Sequence, residues 1–506
     1  MNQGLALEIM LSGESVLLTG PAGAGKTFVL NQFIRLARHE GKHVAVTATT
    51  GLAATHLGGT TIHSWAGIGV ADSLPGGFAE HIAKGRREII EKADVLVIDE
   101  ISMLHDFRLD MVDEACRLVR RKDVPFGGIQ LIMSGDFFQL PPINRGDSRA
   151  GGFVVHSTAW RELDPTICYL QEQHRQDDTE LLGILNALRA GNIRRHHAQA
   201  LLDRQEVKPP EGVVLTELHT VNIDVDRIND IKLEALAGDE VSYTETTTGA
   251  ANYVESLQRS VLAPEVLRLR LGALVMAVKN TTDRKYANGS IGTVVEFEKQ
   301  TDYPVVEYRN GNRVTMRPDT WEQRDGDKKR ASITQIPLRL AWAITVHKSQ
   351  GMTLDAARID LRKAFVEGMG YVALSRVKNL RNLYLSGINR MALAISEDAQ
   401  KIDAMLQSRA QDDRVVFAHL ESKAEKRVLE PPVKDSEGSG WSDKIAKMRE
   451  TYPNAYRPWQ KDDDDVLKQS FQNGVSIKDL SKKLGRHEGS ITMRLQKHFG
   501  EDMVVS

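Results

Sequence analysis

The sequence predicts an α/β protein organised around phosphate-binding parallel sheet. Three observations carry that reading. A short apolar strand runs through a glycine loop into an amphipathic helix, ESVLLTGPAGAGKTFVLNQFIRLAR; a second apolar strand ends on an acidic pair, ADVLVIDEISM; and far downstream a third, AWAITVHKSQGMTL (Ala341 to Leu354), passes from small apolar residues into His, Lys, Ser and Gln. A core strand has no need of that last polar ending, so a second polar cluster must serve the first.

In the first stretch SVLLT reads as a buried strand and FVLNQFIRLAR has helical apolar spacing. Between them Gly20, Pro21, Ala22, Gly23, Ala24, Gly25, Lys26 and Thr27 fit GxxxxGK(S/T). Glycines there let backbone N–H groups turn toward phosphates, and the helix N-terminus adds its positive dipole end. Lys26 is placed to reach the β/γ-phosphates and Thr27 to hold Mg²⁺. In the second stretch Val95 to Ile98 deliver Asp99 and Glu100 to the carboxyl end of a strand, where open parallel sheets bind ligands. Asp99 would orient Mg²⁺ through water and Glu100 would position or deprotonate the attacking water, which makes ATP hydrolysis the expected chemistry.

Composition bounds the partners. The 506 residues allow two or more domains, and 41% hydrophobic with 26% charged residues is ordinary for a soluble protein. A formal net charge of −2 excludes a global positive field, so a polyanion must be met in a local groove. Cys116 and Cys168 lie too far apart for a CxxC or metal-ligand spacing. No apolar run approaches a membrane span, and the N-terminal stretch has no basic region of a signal peptide. Cytoplasmic localisation, associated with the nucleoid, is the expectation, and a bacterial or phage source.

Two Thr/Gly turns follow strands in HVAVTATTGLAATHLGGTTIHSWAGIG, and LIMSGDFFQLPPI ends a strand in Gly-Asp, two Phe and a Gln. Short hydroxyls and backbone donors at strand ends suit a chain of phosphates, because they position without reading bases. Phe137, Phe138 or Trp65 could stack on bases.

In order, TGPAGAGKT, TATTGLAA, TTIHSWAGIG, VIDEISM, PFGGIQLIMSGDFFQLPP, EQHRQ, AITVHKSQGMTL and YVALSRV resemble the motif series of the PIF family of superfamily 1 class B DNA helicases, from about Gln3 to about Leu385. PFGGIQ is typical of that family and not of its RecD-like relatives. The resemblance implies two RecA-like domains with ATP in the cleft between them, and motion 5′ to 3′ along single-stranded DNA. It implies Gln350 and Gly351 near the γ-phosphate, His347 and Ser349 toward the DNA, Arg376 as an arginine finger, Arg175 as a second phosphate-sensing arginine, Gln139 as a nucleotide sensor and Gln3 as the adenine reader. Thr50, Gly51, Thr61, His63, Phe137 and Asn222 stand as DNA contacts. Ala24 and Thr49 depart from the usual AGTGKT and TASTG patterns, and neither removes a catalytic group.

The domains expected are a first RecA-like domain over 1–175, with a short wedge-like insertion at about 66–90, and a second over 176–275 and 336–420. A small inserted β-barrel at 276–335 carries hairpin signals at Asn288-Gly289 and Asn310-Gly311. A linker, 421–455, leads to a three-helix tail, 456–506. The tail resembles a helix-turn-helix, with Arg494 and Lys497 as phosphate contacts; docking a protein partner is the alternative for it. The expected protein is a monomer using ATP and Mg²⁺ on single-stranded, tailed or forked DNA, with no membrane. A RecD-like motor subunit of a nuclease complex and an ATP-switched DNA-binding adaptor are the rival readings.

Overall fold

The computed structural model describes residues 1–69, 72–144, 149–172, 175–176, 178–205, 207–209, 215–279, 285–286, 289–308, 311–325, 328–354, 356–427, 452–453, 461–473, 475–486 and 488–499. The chain divides into two units, Met1–Leu429 and Glu430–Ser506.

The first domain is a parallel sheet of β1 (Val16–Thr19), β2 (Val44–Ala48), β3 (Thr60–Thr61), β4 (Val95–Asp99), β5 (Gln130–Gly135) and β6 (Thr166–Tyr169), in the order β3-β2-β4-β5-β1-β6. Successive side chains of a strand point to opposite faces, and both faces are covered. Val16, Leu18, Val95, Val97 and Ile132 enter one core with the helix Gln3–Leu11 and the helix Lys26–His39; Leu17, Leu96, Ile98, Leu131 and Met133 enter the other. Continuous apolar runs such as VLLT and VLVI are what such a two-sided burial requires.

The helix Lys26–His39 forms because Val29, Leu30, Phe33, Ile34 and Ala37 fall on one buried face. Arg38 and His39 occupy its last turn, favourable at the negative end of the dipole. Each large side chain on that face contributes about 1.5–3 kcal/mol by burial, and Phe33→Ala would cost about 3–5 kcal/mol.

The PFGGIQ stretch has a physical role. Phe126, Gly127 and Gly128 are all left-handed, with φ of 50°, 60° and 80°. A Cβ on Gly127 would stand 2.8 Å from the Cys116 carbonyl oxygen, so glycine is required for space as well as for φ. The buried Asp113 carboxylate accepts from the Phe126 N–H, and Arg120 donates to the carbonyls of Gly127, Ile90 and Ala93. The turn therefore ties the helix Asp106–Arg120 to the end of the helix Lys84–Lys92 and to the start of β5. In the stretch expected as a wedge-like insertion, Phe78 and Ile90 are buried in the domain's core.

The second domain carries a parallel four-stranded sheet ordered Ala343–Thr345, Thr216–His219, Ala357–Leu361, Leu383–Ile388. The inserted β region is wider than 276–335. Its five-stranded antiparallel sheet runs from Leu274–Ala277 to Leu338–Leu340, and the hairpin of Asp319–Asp325 with Lys328–Gln335 takes Thr246–Gly249 as a third strand. Thr246–Gly249 is exposed on every residue, so no apolar alternation marks it as a strand. Gly289 and Gly311 have φ of 89° and 81°, while Asn288 and Asn310 lie outside the described residues. The expected linker starts too early: Glu421–Lys426 is a helix packed on Gln3–Leu11, with Ala424 buried and Arg427 and Lys423 paired with the buried Glu8.

The second unit holds the helices Lys461–Gln472, Ile477–Leu484 and Glu488–Phe499 around Leu467, Leu480, Leu484, Ile491 and Leu495. Ser476 caps the middle helix by accepting from the Asp479 N–H, and Gly485, φ 61°, closes it.

Candidate active site and nucleic-acid interface

A cleft of about 920 Å³ opens between the two RecA-like domains, a size suited to a nucleotide. Lys26, Asp99, Glu100, Gln139, Arg175, Gln350 and Arg376 all line it. Ala22, Gly23, Gly25, Thr27 and Gly351 line it too, as do Thr50, Gly51 and His347. Gly20, Pro21 and Ala24 form the back of the loop: Lys26 Nζ donates to the carbonyls of Gly20 (2.8 Å) and Pro21 (3.1 Å), and Gln3 Nε2 to that of Ala24 (3.1 Å). Gln3, expected as the adenine reader, is thus joined directly to the phosphate loop.

Parallel strand ends produce this gathering. The loop follows β1, Asp99 closes β4, Gln139 lies just beyond β5, and Gln350 and Arg376 come from the facing edge of the second sheet. Gln350 crosses the cleft, its Nε2 donating to Glu100 Oε2 at 2.9 Å and Gln139 Oε1 at 3.0 Å. One amide therefore contacts both Glu100 and Gln139 of the first domain. Arg376 is buried and donates to the carbonyls of Val372 (2.8 Å), Ser349 (3.3 Å) and Met352 (3.3 Å). Arg175 donates to the Ser375 carbonyl at 3.3 Å.

Desolvation dominates the electrostatics. It raises the Glu100 carboxyl to about 7, helped by neighbouring Asp99 and opposed by Lys26, Arg376 and the Gln350 hydrogen bond. It also raises Asp99, against Ser134 and Lys26, and lowers Lys26, against Asp136 and Glu100. Arg376 falls to about 9, through burial first and Arg175 second. The carboxylates Asp99 and Glu100 and the cations Lys26, Arg175, Lys348, Arg376 and Lys378 line one cleft, a site whose charges are tuned by what enters it.

Other expected contacts lie differently. Phe137 and Phe138 are core residues, Phe137 edge-on to Phe153 with centroids 5.4 Å apart, and Trp65 is buried; none offers a ring face to a base in this arrangement. Ser349 is fully buried and its hydroxyl donates to the Val346 carbonyl at 2.7 Å, so it shapes the HKSQG turn instead of facing a strand of DNA. Thr61 caps the helix Ile62–Ala66 by accepting from the Ser64 N–H at 3.3 Å. His63 is lowered to about 4 by burial and then by Arg108, which keeps its ring neutral. Asn222 is exposed at the start of the helix Asn222–Glu234, and His347 stacks on the exposed Phe365, centroids 6.2 Å apart. In the tail, Arg494 binds Asp464 through two hydrogen bonds of 2.7 and 2.5 Å, which makes it a structural cation. The side chain of Lys497 lies outside the described residues.

Sequence reasoning passed over a buried polar cluster behind the loop. Tyr371, Asp136 and Arg189 meet there, with Tyr169 and Asp403 beyond them. Tyr371 stands inside YVALSRV and Asp136 inside GDFFQLPP, so the signal was present, but nothing in the pattern says that the two touch.

Residues 5–195 match the family model described as PIF1-like helicase. The chain is 37% identical, over 100% of its length and 84% of the relative's, to the ATP-dependent DNA helicase Pif1 of Psychrobacter sp. (strain PRwf-1). Its fold is similar to that of Bacteroides sp Pif1 in complex with ADP-AlF4, with a TM-score of 0.70 at 30% identity, covering 80% of this chain and 96% of that one. For the Bacteroides Pif1 helicase with ADP-AlF3 and ssDNA the TM-score is 0.59 at 30% identity, covering 81% and 97%. Similarity of that degree along the whole sequence establishes the lineage to which the motifs point: the chain belongs to the PIF1-like helicase family.

Proposed function

We propose that the protein is an ATP-dependent DNA helicase that hydrolyses ATP in the interdomain cleft and moves 5′ to 3′ along single-stranded DNA, opening tailed or forked duplex. The observation that carries this reading is the Gln350 bridge to Glu100 and Gln139, because it makes the relative position of the two domains depend on the residues that meet the γ-phosphate. The names of relatives and neighbours support it, since they include ATP-dependent DNA helicases and a Pif1 bound to single-stranded DNA.

In this mechanism the loop amides of Gly23 to Thr27 and the Lys26 ammonium cradle the phosphates. Glu100, with a carboxyl near 7, takes the proton of the attacking water. Arg376 turns from the carbonyls that hold it to the charge developing on the γ-phosphoryl group, a contribution typically worth about 10³–10⁵ in rate. Release of phosphate lets the Gln350 bridge re-form or break, and the change in domain separation alternates the grip on DNA. Thr50, Gly51 and His347, on the cleft's rim, are the contacts proposed for the strand. Thr27 and Asp99 line the same cleft, and a hydroxyl plus one carboxylate is a fitting protein share for Mg²⁺, which takes its other ligands from phosphates and water. When bound, Mg²⁺ would neutralise charge on the β- and γ-oxygens. We place the protein in the cytoplasm as a monomer, and the three-helix tail as a docking module for DNA or a protein.

The test is strand separation with ATP and Mg²⁺ on two matched duplexes, one with a 5′ and one with a 3′ single-stranded tail, with Lys26→Ala as blank. Unwinding only the 5′-tailed duplex, lost in the blank, is the expected result. Unwinding only the 3′-tailed duplex refutes the polarity, and absence of DNA-stimulated ATPase refutes the motor.

A further inference from the structure

Behind the phosphate loop one hydroxyl joins the two domains. Tyr371 lies on the short helix Met369–Leu374 of the second domain, and its side chain is fully buried. Its oxygen accepts from the Ala22 N–H of the phosphate loop at 2.9 Å and from Arg189 Nη1 at 3.1 Å, and donates to Asp136 Oδ2 at 3.0 Å. A phenol has one proton and two acceptor sites, so all three are in use. Asp136 is held in turn by Arg189 at 2.8 Å and by the Phe138 N–H at 3.2 Å. Arg189 reaches on to Tyr169 (2.9 Å) and Asp403 (3.1 Å), and lies over the Phe138 ring, 4.2 Å from its centroid. Burial, with Asp136 next, pushes the Tyr371 phenol up to about 12, so it remains a proton donor to that carboxylate.

The position of this hydroxyl matters because of what else its helix carries. Arg376 lies five residues further along the chain, and until it turns to the phosphoryl group its guanidinium is bound to the carbonyls of Val372, Ser349 and Met352, which joins the helix and the turn bearing Gln350 into one body. Gly368, at the helix start, has φ of 79°, and a Cβ there would stand 2.6 Å from the Gln139 carbonyl oxygen. That body therefore touches the first domain at the sensor loop and, through Tyr371, at the phosphate loop. Ala22 precedes the run of loop amides assigned above to phosphate, so Tyr371 can hold the loop without competing with ATP.

We propose that Tyr371 is a positioning residue for ATP hydrolysis: its hydroxyl, carried by the second domain, seats the phosphate loop at Ala22 and so sets the distance from the bound triphosphate to Arg376 and Gln350. Opening the cleft strips the Ala22 N–H of its acceptor, which ties the shape of the loop to domain closure. The inference rests on the ATPase reading above and adds a residue to it.

The experiment compares wild type, Tyr371→Phe and Asp136→Asn, full length, by steady-state DNA-stimulated ATPase with ATP varied, by binding of a fluorescent ADP analogue and by thermal melting. Tyr371→Phe keeps the ring and removes only the hydroxyl. Its kcat is expected to fall about tenfold, the loss carried by the Ala22 hydrogen bond, the one of the three that seats the loop, while KM for ATP and affinity for the ADP analogue stay within about twofold. Asp136→Asn, which leaves the phenol in place but removes the charge that orients it, is expected to lower kcat in the same sense, and the double variant to lose no more than the worse single one. Should Tyr371→Phe fail to fold, Asp136→Asn alone carries the kcat-against-KM readout. A lowered melting temperature with kcat unchanged overturns the proposal, because the hydroxyl is then only structural. Weakened ADP binding with kcat unchanged overturns it too, since the loop would then be held for binding and not for closure. A wild type without ATPase would refute the motor reading instead, which keeps the two failures apart.

Discussion

Replacing Gln350 by Ala tests the cross-cleft bridge most directly. The amide donates one hydrogen bond to the Glu100 carboxylate at 2.9 Å and one to the Gln139 side chain at 3.0 Å. A hydrogen bond to a charged group contributes about 1.5–3 kcal/mol and a neutral one about 0.5–1.5 kcal/mol, so the bridge as a whole represents about 2–4 kcal/mol of contact between the domains. If hydrolysis draws on this contact only in the closed state, kcat should fall by roughly 30–1,000-fold while KM for ATP changes little. A second signature follows from the charge. Glu100 lies near 7, and the Gln350 bond is one of the forces holding it down. Removing the bond raises the carboxyl, and the acid limb of the kcat/KM profile moves to higher pH. DNA-stimulated ATPase measured over pH 6–9 reads both effects. A rise in KM with kcat intact would refute the reasoning, because Gln350 would then bind ATP without linking hydrolysis to closure. An acid limb that stays in place would show that Glu100 is not the proton acceptor.

In the wild type, with Glu100 near 7 and its ionised form acting as base, kcat/KM should rise about tenfold from pH 6 to pH 8; a flat profile assigns the base elsewhere. Gly368→Ala should lower the melting temperature and the ATPase together, since its Cβ meets the Gln139 and Phe138 carbonyl oxygens at 2.6 and 2.7 Å and φ is 79°, a strain of about 1–3 kcal/mol. Glu8 is raised by burial but held below the ordinary glutamate range overall by Arg427 and Lys423. A depressed carboxyl stabilises the fold above its unfolded pKa and loses that contribution as pH falls through the folded one. The stability gap between wild type and Glu8→Gln, read from urea melts, should therefore close on acidification below about 4.3. In the tail, Leu480→Ala empties part of the core shared with Leu467, Leu484, Ile491 and Leu495, costs about 2–5 kcal/mol and should unfold that unit, read by hydrogen exchange, while ATPase remains.

Much of the fold could be read where burial leaves a pattern in sequence. β1 and β4 are buried on every residue, and apolar up to the Thr19 and Asp99 that end them, because both faces of the sheet are covered, and the helix Lys26–His39 alternates because only one of its faces is. Where burial leaves no pattern, reading stopped. β3 is two threonines, and Thr246–Gly249 is a fully exposed strand whose place is set by pairing with Lys328–Gln335, some eighty residues away. Likewise Glu421–Lys426, rich in charge, looks like linker until Glu8 and Gly4 are seen opposite it. Its order comes from a partner helix four hundred residues distant, which no local window contains.

The site divides in the same way. A residue that meets a ligand through a fixed local geometry announces itself: the loop's backbone conformation requires its glycines in register, and an acidic pair after an apolar strand marks a sheet's carboxyl edge, so all seven expected catalytic side chains do line one cleft. A residue that acts by meeting another side chain does not. Phe137 and Ser349 sit in the same motifs as Gln139 and Gln350, yet two are buried as packing and as a turn bond while two face each other across the domains. Tyr371 is the converse case, an apolar-looking ring within an apolar run whose hydroxyl ends on a backbone N–H 349 positions earlier. Motif order shows which residues a motor of this lineage keeps together in sequence. Which of them carry force between its halves is decided by the closed cleft, where each buried polar atom must find a partner or carry the cost of lacking one.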